Sequence, residues 1–274
     1  MSDLIKKIEK KSQVIRQHII KMLAESGSGH PGGSLSATDI LATLFFGGEF
    51  KYDPKNIKWE DRDYFILCKG HGAPCLYATM AEAGYFKSDE LLTLRKLGSK
   101  FQGHPDRNHL PGIEVSTGSL GQGLSVAVGM ALGLRLDGKG SQVFAVLGDG
   151  EVQEGQVWEA AMNASAKKVD NLIAFLDRNG LQIDGHTEDV KAIEPIDKKW
   201  EAFGWKVFKV NGHNIEELLA AIRKAKKVKG MPTMIIANTV KGKGVSFMEG
   251  KVNYHGVAPT RAEEKQALQE LGHS

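Results

Sequence analysis

The chain has 274 residues, 41% hydrophobic and 25% charged, with a formal net charge of +3, which suits one large soluble α/β domain. The charge is too small to argue for a nucleic-acid partner, and no apolar run is long enough to span a membrane. Cys68 and Cys75 fit neither a redox pair nor a zinc pattern, and the N-terminus lacks a secretory signal, so a reducing, cytoplasmic setting is expected.

In chain order, Leu4, Ile5, Ile8, Ile15, Ile19, Met22 and Leu23 recur at helical spacing, predicting a surface helix over residues 4–24 packed on the core. Ser26 to Gly33 (SGSGHPGG) should break regular structure and leave His30 on a permissive loop, where a lone histidine is usually just solvent-exposed. A second helix is expected over residues 36–46, with Ser36 as its N-cap. YFILC, residues 64–68, reads as a buried strand ending in KGHGAP, so His71 falls just past a strand end, before a helix over residues 73–83. His104 lies in a further loop, QGHP, and Gly118 to Gly123 (GSLGQG) opens a long helix reaching about Leu136, its N-terminus placed to receive an anion. The glycine spacing there is wrong for a dinucleotide fingerprint, and no apolar strand directly precedes it.

Residues 143–147 and 171–176 are apolar runs of the kind buried on both faces of a parallel sheet. Val157, Ala160, Ala161 and Ala164 between them mark one face of a helix, giving a βαβ unit with both strand ends on the same rim. Asp149 follows the first end and Asn179 the second, two hard-oxygen side chains suited to Mg²⁺ or Ca²⁺ with phosphate and water completing the shell. Gly148 and Gly150 allow a phosphate close to the backbone. By itself Gly-Asp-Gly reads more readily as a tight turn after a strand, and Glu154 reads also as an ordinary partner of a helix dipole. Strands over residues 205–210 and 233–238 follow, flanking a helix over 214–227 capped by Asn214. The lysine-rich end of that helix reads as a solvated face. A glycine-rich loop with Lys241 and Lys243, then His255, then a polar helix from Thr260 complete the chain. Residues 1–250 read as one doubly wound parallel α/β domain and 251–274 as its C-terminal extension.

The stretch from GDGEVQEG to DRNGLQIDG resembles the thiamine diphosphate motif, and in detail that of the transketolase family. SGHPGG, KGHGAP, QGHPD, TGSLGQG and YHG add further landmarks in the family's order, so the resemblance covers nearly the whole chain. It implies that Asp149, Asn179 and the Leu181 carbonyl hold a divalent metal, Mg²⁺ or in vitro Ca²⁺, that carries the cofactor's diphosphate. It also implies that His71 contacts the diphosphate, and that Gly118, Leu120 and Gly150 touch the cofactor. His30, His104 and His255 would line the substrate channel, with Glu154 and Glu159 at a subunit interface. Asp106, the Gly33-Ser34 pair and Arg178, beside a metal ligand, depart from the usual pattern.

The family's usual members are more than twice as long, and a further domain supplies the glutamate that activates the aminopyrimidine ring. The resemblance therefore implies the diphosphate-binding half of a split transketolase of the pentose phosphate pathway type, working with a separate chain that carries that glutamate, two copies of each. It would move a two-carbon ketol unit between sugar phosphates. The rival readings are one chain of a 2-oxo acid dehydrogenase component and a catalytically silent binding subunit. Four channel histidines suit a polyhydroxylated sugar better than an apolar acid.

Overall fold

A computed structural model describes residues 2–273. The strands in chain order are β1 (Tyr64–Leu67), β2 (Val143–Gly148), β3 (Leu172–Arg178), β4 (Leu181–Gln182), β5 (Gly185–His186), β6 (Lys206–Asn211) and β7 (Thr233–Asn238). Five of them form one parallel sheet in the order β1-β2-β3-β7-β6, while β4 and β5 make a small antiparallel hairpin. The α/β expectation holds. Every residue of β2 is buried, as a central strand covered on both faces requires. The register pairs Gly148 with Asp177 and Asp177 with Ala237, so the C-terminal ends of β2, β3 and β7 finish level on one rim.

Helices cover both faces. On one, Ser2–Ser26, Thr38–Phe46, Ala73–Glu82 and Ile215–Ala225 bury Ile15, Ile19, Leu41, Leu76 and Leu218 against Phe144, Phe175 and Ile235. On the other, Gln122–Leu136, Gly155–Ala166 and Ile196–Ala202 bury Leu124, Val157, Ala161 and Trp200 against Ala145, Leu147 and Leu176. Val157, Ala160, Ala161 and Ala164 are all buried, as their spacing predicts. No helix among the described residues is long and apolar enough to cross a membrane. The C-terminal helix, Arg261–Glu270, is capped by Thr260 and lies on the first helix, where Gln13 and Gln17 donate to the Leu271 carbonyl.

Three local expectations are corrected. The segment expected to lack regular structure forms a short helix, Pro31–Ser36, with Pro31 in its first turn, where a missing N–H costs nothing. Its glycines serve close approach, since a Cβ on Gly33 would stand 3.3 Å from both His71 Nε2 and Lys69 Nζ. Ser36 is not an N-cap; the next helix starts at Thr38 behind Ala37, and Ser36 Oγ donates to Asp177 Oδ2 at 2.6 Å. The anion slot before Gln122–Leu136 is taken by the chain itself, because Gly121 N–H donates to Glu151 Oε1 at 3.0 Å.

Candidate active site

The C-terminal rim of the sheet opens into a cavity of about 330 Å³. Strand β1 delivers Lys69 and His71, β2 delivers Asp149 and Gly150, β3 leads to Asn179 and Leu181, and the loop after β7 brings Lys241. The loop before Pro31 contributes His30, and the segments at His104, Gly118, Leu120 and His255 close the walls. Every residue singled out as a ligand or channel residue lines this one cavity, including Glu154. Glu154 is exposed at the N-cap of Gly155–Ala166, with no side-chain cap bond, and Glu159 lies exposed further along the same helix.

The histidines form a cluster. Ring centroids lie 5.4 Å apart for His30 and His71, 6.3 Å for His30 and His104, 5.7 Å for His30 and His255, and 5.3 Å for His71 and His255. Burial lowers the pKa of His30 to about 4 and of His255 to about 3, and it holds His71 well below the usual value. Nearby lysine and arginine charges push the same way, and burial with Arg95 lowers His104 too. All four rings are therefore neutral near pH 7, which lets a ring nitrogen accept a proton or a hydroxyl hydrogen bond. Lys241 Nζ lies 2.7 Å from His255 Nδ1, so Nδ1 is the acceptor and Nε2 carries the proton. His30 Nδ1 is buried without a hydrogen-bond partner among the described residues.

Beneath the histidines lies a polar floor that the pattern of the sequence did not disclose. Asp177, fully buried at the end of β3, accepts from Lys69 Nζ at 2.5 Å, from Ser36 Oγ at 2.6 Å, and from Thr239 Oγ1. Lys69 Nζ also donates to the Gly33 carbonyl at 2.8 Å. Glu151 accepts from Gly121 N and Gly148 N, and burial raises its carboxyl to about 7. The signal for Lys69 and Asp177 was their place at strand ends that finish on the same rim, each within two residues of a residue already singled out.

Among the described residues no three His, Cys, Asp or Glu side chains converge as a metal site. The expected donors are of another kind: one carboxylate, one amide oxygen and one carbonyl. Asp149 Oδ1 accepts from Gly150 N at 2.9 Å, and Oδ2 accepts from Gly180 N at 2.6 Å and Arg178 Nη1 at 3.2 Å. The Asn179 amide oxygen accepts from Leu181 N at 3.1 Å. The Leu181 carbonyl faces the ammonium of Lys241 at 3.3 Å, a positive charge already seated on that oxygen. Three hard oxygens on one rim, with Lys69 and Lys241 beside them, fit a divalent cation whose remaining positions are filled by phosphate oxygens.

A parallel sheet with such an edge, lined by neutral histidines and hard oxygens, defines an α/β domain that binds a ligand at its C-terminal rim. A family profile described as transketolase, thiamine diphosphate binding domain, matches residues 8–274. The chain belongs to the transketolase family. It is 46% identical over 264 residues to the 6-deoxy-6-sulfo-D-fructose transketolase subunit SqwG of Clostridium sp. (strain MSTE9), covering 96% of each chain. To one of the apulose-4-phosphate transketolase subunits, from Actinobacillus succinogenes, it is 42% identical over 265 residues, covering 96% of this chain and 95% of that one. Human transketolase is 42% identical over 261 residues, which are 94% of this chain and 41% of that protein. The crystal structure of transketolase from Campylobacter jejuni superimposes with a TM-score of 0.91 at 34% identity, covering 98% of this chain and 43% of that one. The chain thus spans nearly all of the two bacterial subunits and well under half of the human and Campylobacter chains.

Proposed function

We propose that this chain is the diphosphate-binding subunit of a two-chain transketolase, moving a two-carbon ketol unit from a ketose to an aldose that each carry an anionic end group. The observation that carries the reading is the convergence of His30, His71, His104 and His255 with Asp149, Asn179 and Leu181 in one cavity. Asp149, Asn179 and the Leu181 carbonyl would hold Mg²⁺, and His71 and Lys241 would face the diphosphate. Thiamine diphosphate, when bound, supplies the nucleophilic carbon and the electron sink for cleaving a carbon–carbon bond. The protein's share is orientation and proton transfer. His30, His104 and His255, neutral near pH 7, hydrogen-bond the sugar hydroxyls, and one accepts the proton of the hydroxyl beside the broken bond.

Two related proteins are named for a sulfonated and a phosphorylated sugar, which supports a shared two-carbon chemistry with the sugar set elsewhere. The partner chain would carry the glutamate against the aminopyrimidine ring, in an assembly of two copies of each chain. The exposed edge at Glu154 and Glu159 is the surface available for joining them. The test is a donor screen on the reconstituted pair. Ketose phosphates, sulfonated ketoses and 2-oxo acids are offered with ribose 5-phosphate as acceptor. Ketol transfer from at least one anionic ketose, with no turnover of 2-oxo acids that lack a 3-hydroxyl, is the expected result; turnover of those acids alone would reject the proposal.

A further inference from the structure

Arg178 stands where the family pattern departs, and its surroundings give it a definite task. All five of its side-chain hydrogen bonds are assigned. Nη1 donates to Asp149 Oδ2 at 3.2 Å and to Thr187 Oγ1 at 2.7 Å. Nη2 donates to Glu188 Oε1 at 3.0 Å and Glu194 Oε1 at 3.1 Å, and Nε donates to Glu194 Oε1 at 3.2 Å. The side chain is 12% exposed. A planar fork gripped on every edge cannot turn away from Asp149 without breaking bonds to the Thr187–Glu194 side.

The consequence falls on the two oxygens of Asp149. Oδ2 accepts from both Gly180 N and Arg178 Nη1, so its two lone-pair directions are taken and a full positive charge faces it. Oδ1 accepts only from Gly150 N and keeps one direction free. A cation meeting this carboxylate is therefore offered one oxygen. Mg²⁺ keeps a strict octahedron at short distance and is content with a single carboxylate oxygen, whereas Ca²⁺ takes six to eight oxygens and often both of one carboxylate. We infer that Arg178 is a positioning residue that restricts Asp149 to one-oxygen coordination and so biases the cofactor's metal site toward Mg²⁺ over Ca²⁺.

The inference rests on the cofactor reading given above, and the experiment separates the two. Mg²⁺ or Ca²⁺ is titrated calorimetrically into the chain reconstituted with its partner, in the presence of excess thiamine diphosphate, for the wild type and for Arg178→Met, Arg178→Gln and Arg178→Lys. Circular dichroism and a thermal melt confirm that each variant folds. Removing the charge should tighten both cations, because a repulsion is gone. It should tighten Ca²⁺ more, shifting the ratio of the two dissociation constants toward Ca²⁺ by roughly fivefold or more in the Met and Gln variants, since the second oxygen becomes available. Lysine restores the charge without the planar fork and should return the ratio only part of the way to wild type. Should Met fail to fold, Gln, which keeps a hydrogen-bonding amide, carries the comparison. A ratio unchanged in both neutral variants overturns the inference and leaves Arg178 as a latch on the Thr187–Glu194 segment. A wild type with no cation-dependent cofactor binding overturns the cofactor reading and the inference with it.

Discussion

At the scale of single residues, chemistry and support are divided between side chains that face the cavity and side chains under it. Asp149 is the only carboxylate in the proposed metal set, and its oxygens are held by Gly150 N, Gly180 N and Arg178. Asp149→Ala should abolish metal-dependent binding of thiamine diphosphate while leaving the circular dichroism spectrum unchanged. Calorimetry giving wild-type cofactor affinity for that variant would refute the metal assignment. His30 is the central ring of the cluster, 5.4 Å from His71, 5.7 Å from His255 and 6.3 Å from His104. His30→Ala and His104→Ala should keep cofactor affinity and lose about 10²–10⁴-fold in turnover with the partner present, the usual contribution of a positioned acid or base. If either variant keeps the wild-type kcat/KM, that histidine has no part in the reaction. Asp149 was legible in the sequence because a glycine-flanked turn holds it at a strand end, whereas His30 and His104, on loops that follow no strand, were legible through the family's landmarks. Arg178 was visible as a departure, but its four partner residues, Asp149, Thr187, Glu188 and Glu194, lie apart in the chain and could not be read from spacing.

At the scale of elements, the strands were the easiest to read and the loops the hardest. β7 falls on the expected residues, 233–238, because a continuous apolar run bounded by turns admits little else. Asn214 caps Ile215–Ala225 as expected, accepting from Glu217 N. The short helix Pro31–Ser36 was missed because its stability is tertiary: glycine lowers helix propensity, but only glycine lets this turn lie against Lys69 and His71. The solvated lysine-rich face is partly a contact surface, since Arg223 and Lys226 both reach Glu49. The element least visible beforehand was the junction at Asp177. It ties the end of β3 to the segment after β1 through Lys69, to the end of the short helix Pro31–Ser36 through Ser36, and to the loop after β7 through Thr239. The pair is almost wholly buried, with 1% and 0% side-chain exposure for Lys69 and Asp177. Removing one partner strands a charge, so Lys69→Met should cost about 3–5 kcal/mol. Urea denaturation checks this; a loss under about 1 kcal/mol, the range of an exposed pair, would mean that the junction is not a structural one.

At the scale of the whole molecule, the inventory of carboxylates around the cavity decides what the chain can do alone. Activation of the cofactor needs a carboxyl group against its aminopyrimidine ring, so that the amino group can take the thiazolium proton. The acids lining the cavity are Asp149, Glu151, Glu154 and Asp184. Asp149 is committed to Gly150, Gly180 and Arg178. Glu151 is turned inward onto Gly121 N and Gly148 N, 2% exposed, and cannot leave without stranding both donors. Glu154 and Asp184 are exposed at the rim, where water weakens any hydrogen bond they make. None is both free and enclosed. On the two-chain proposal, the carboxylate and the apolar cover that would give it a low-dielectric setting come from the partner chain. A polypeptide of this sequence alone, given Mg²⁺, thiamine diphosphate, xylulose 5-phosphate and ribose 5-phosphate, should form no sedoheptulose 7-phosphate. Adding the partner chain should restore transfer from an accepted donor, and changing the partner's aminopyrimidine glutamate to alanine should abolish it again. Robust turnover by the single chain would show that one of the four acids here does the work, and would end the two-chain reading.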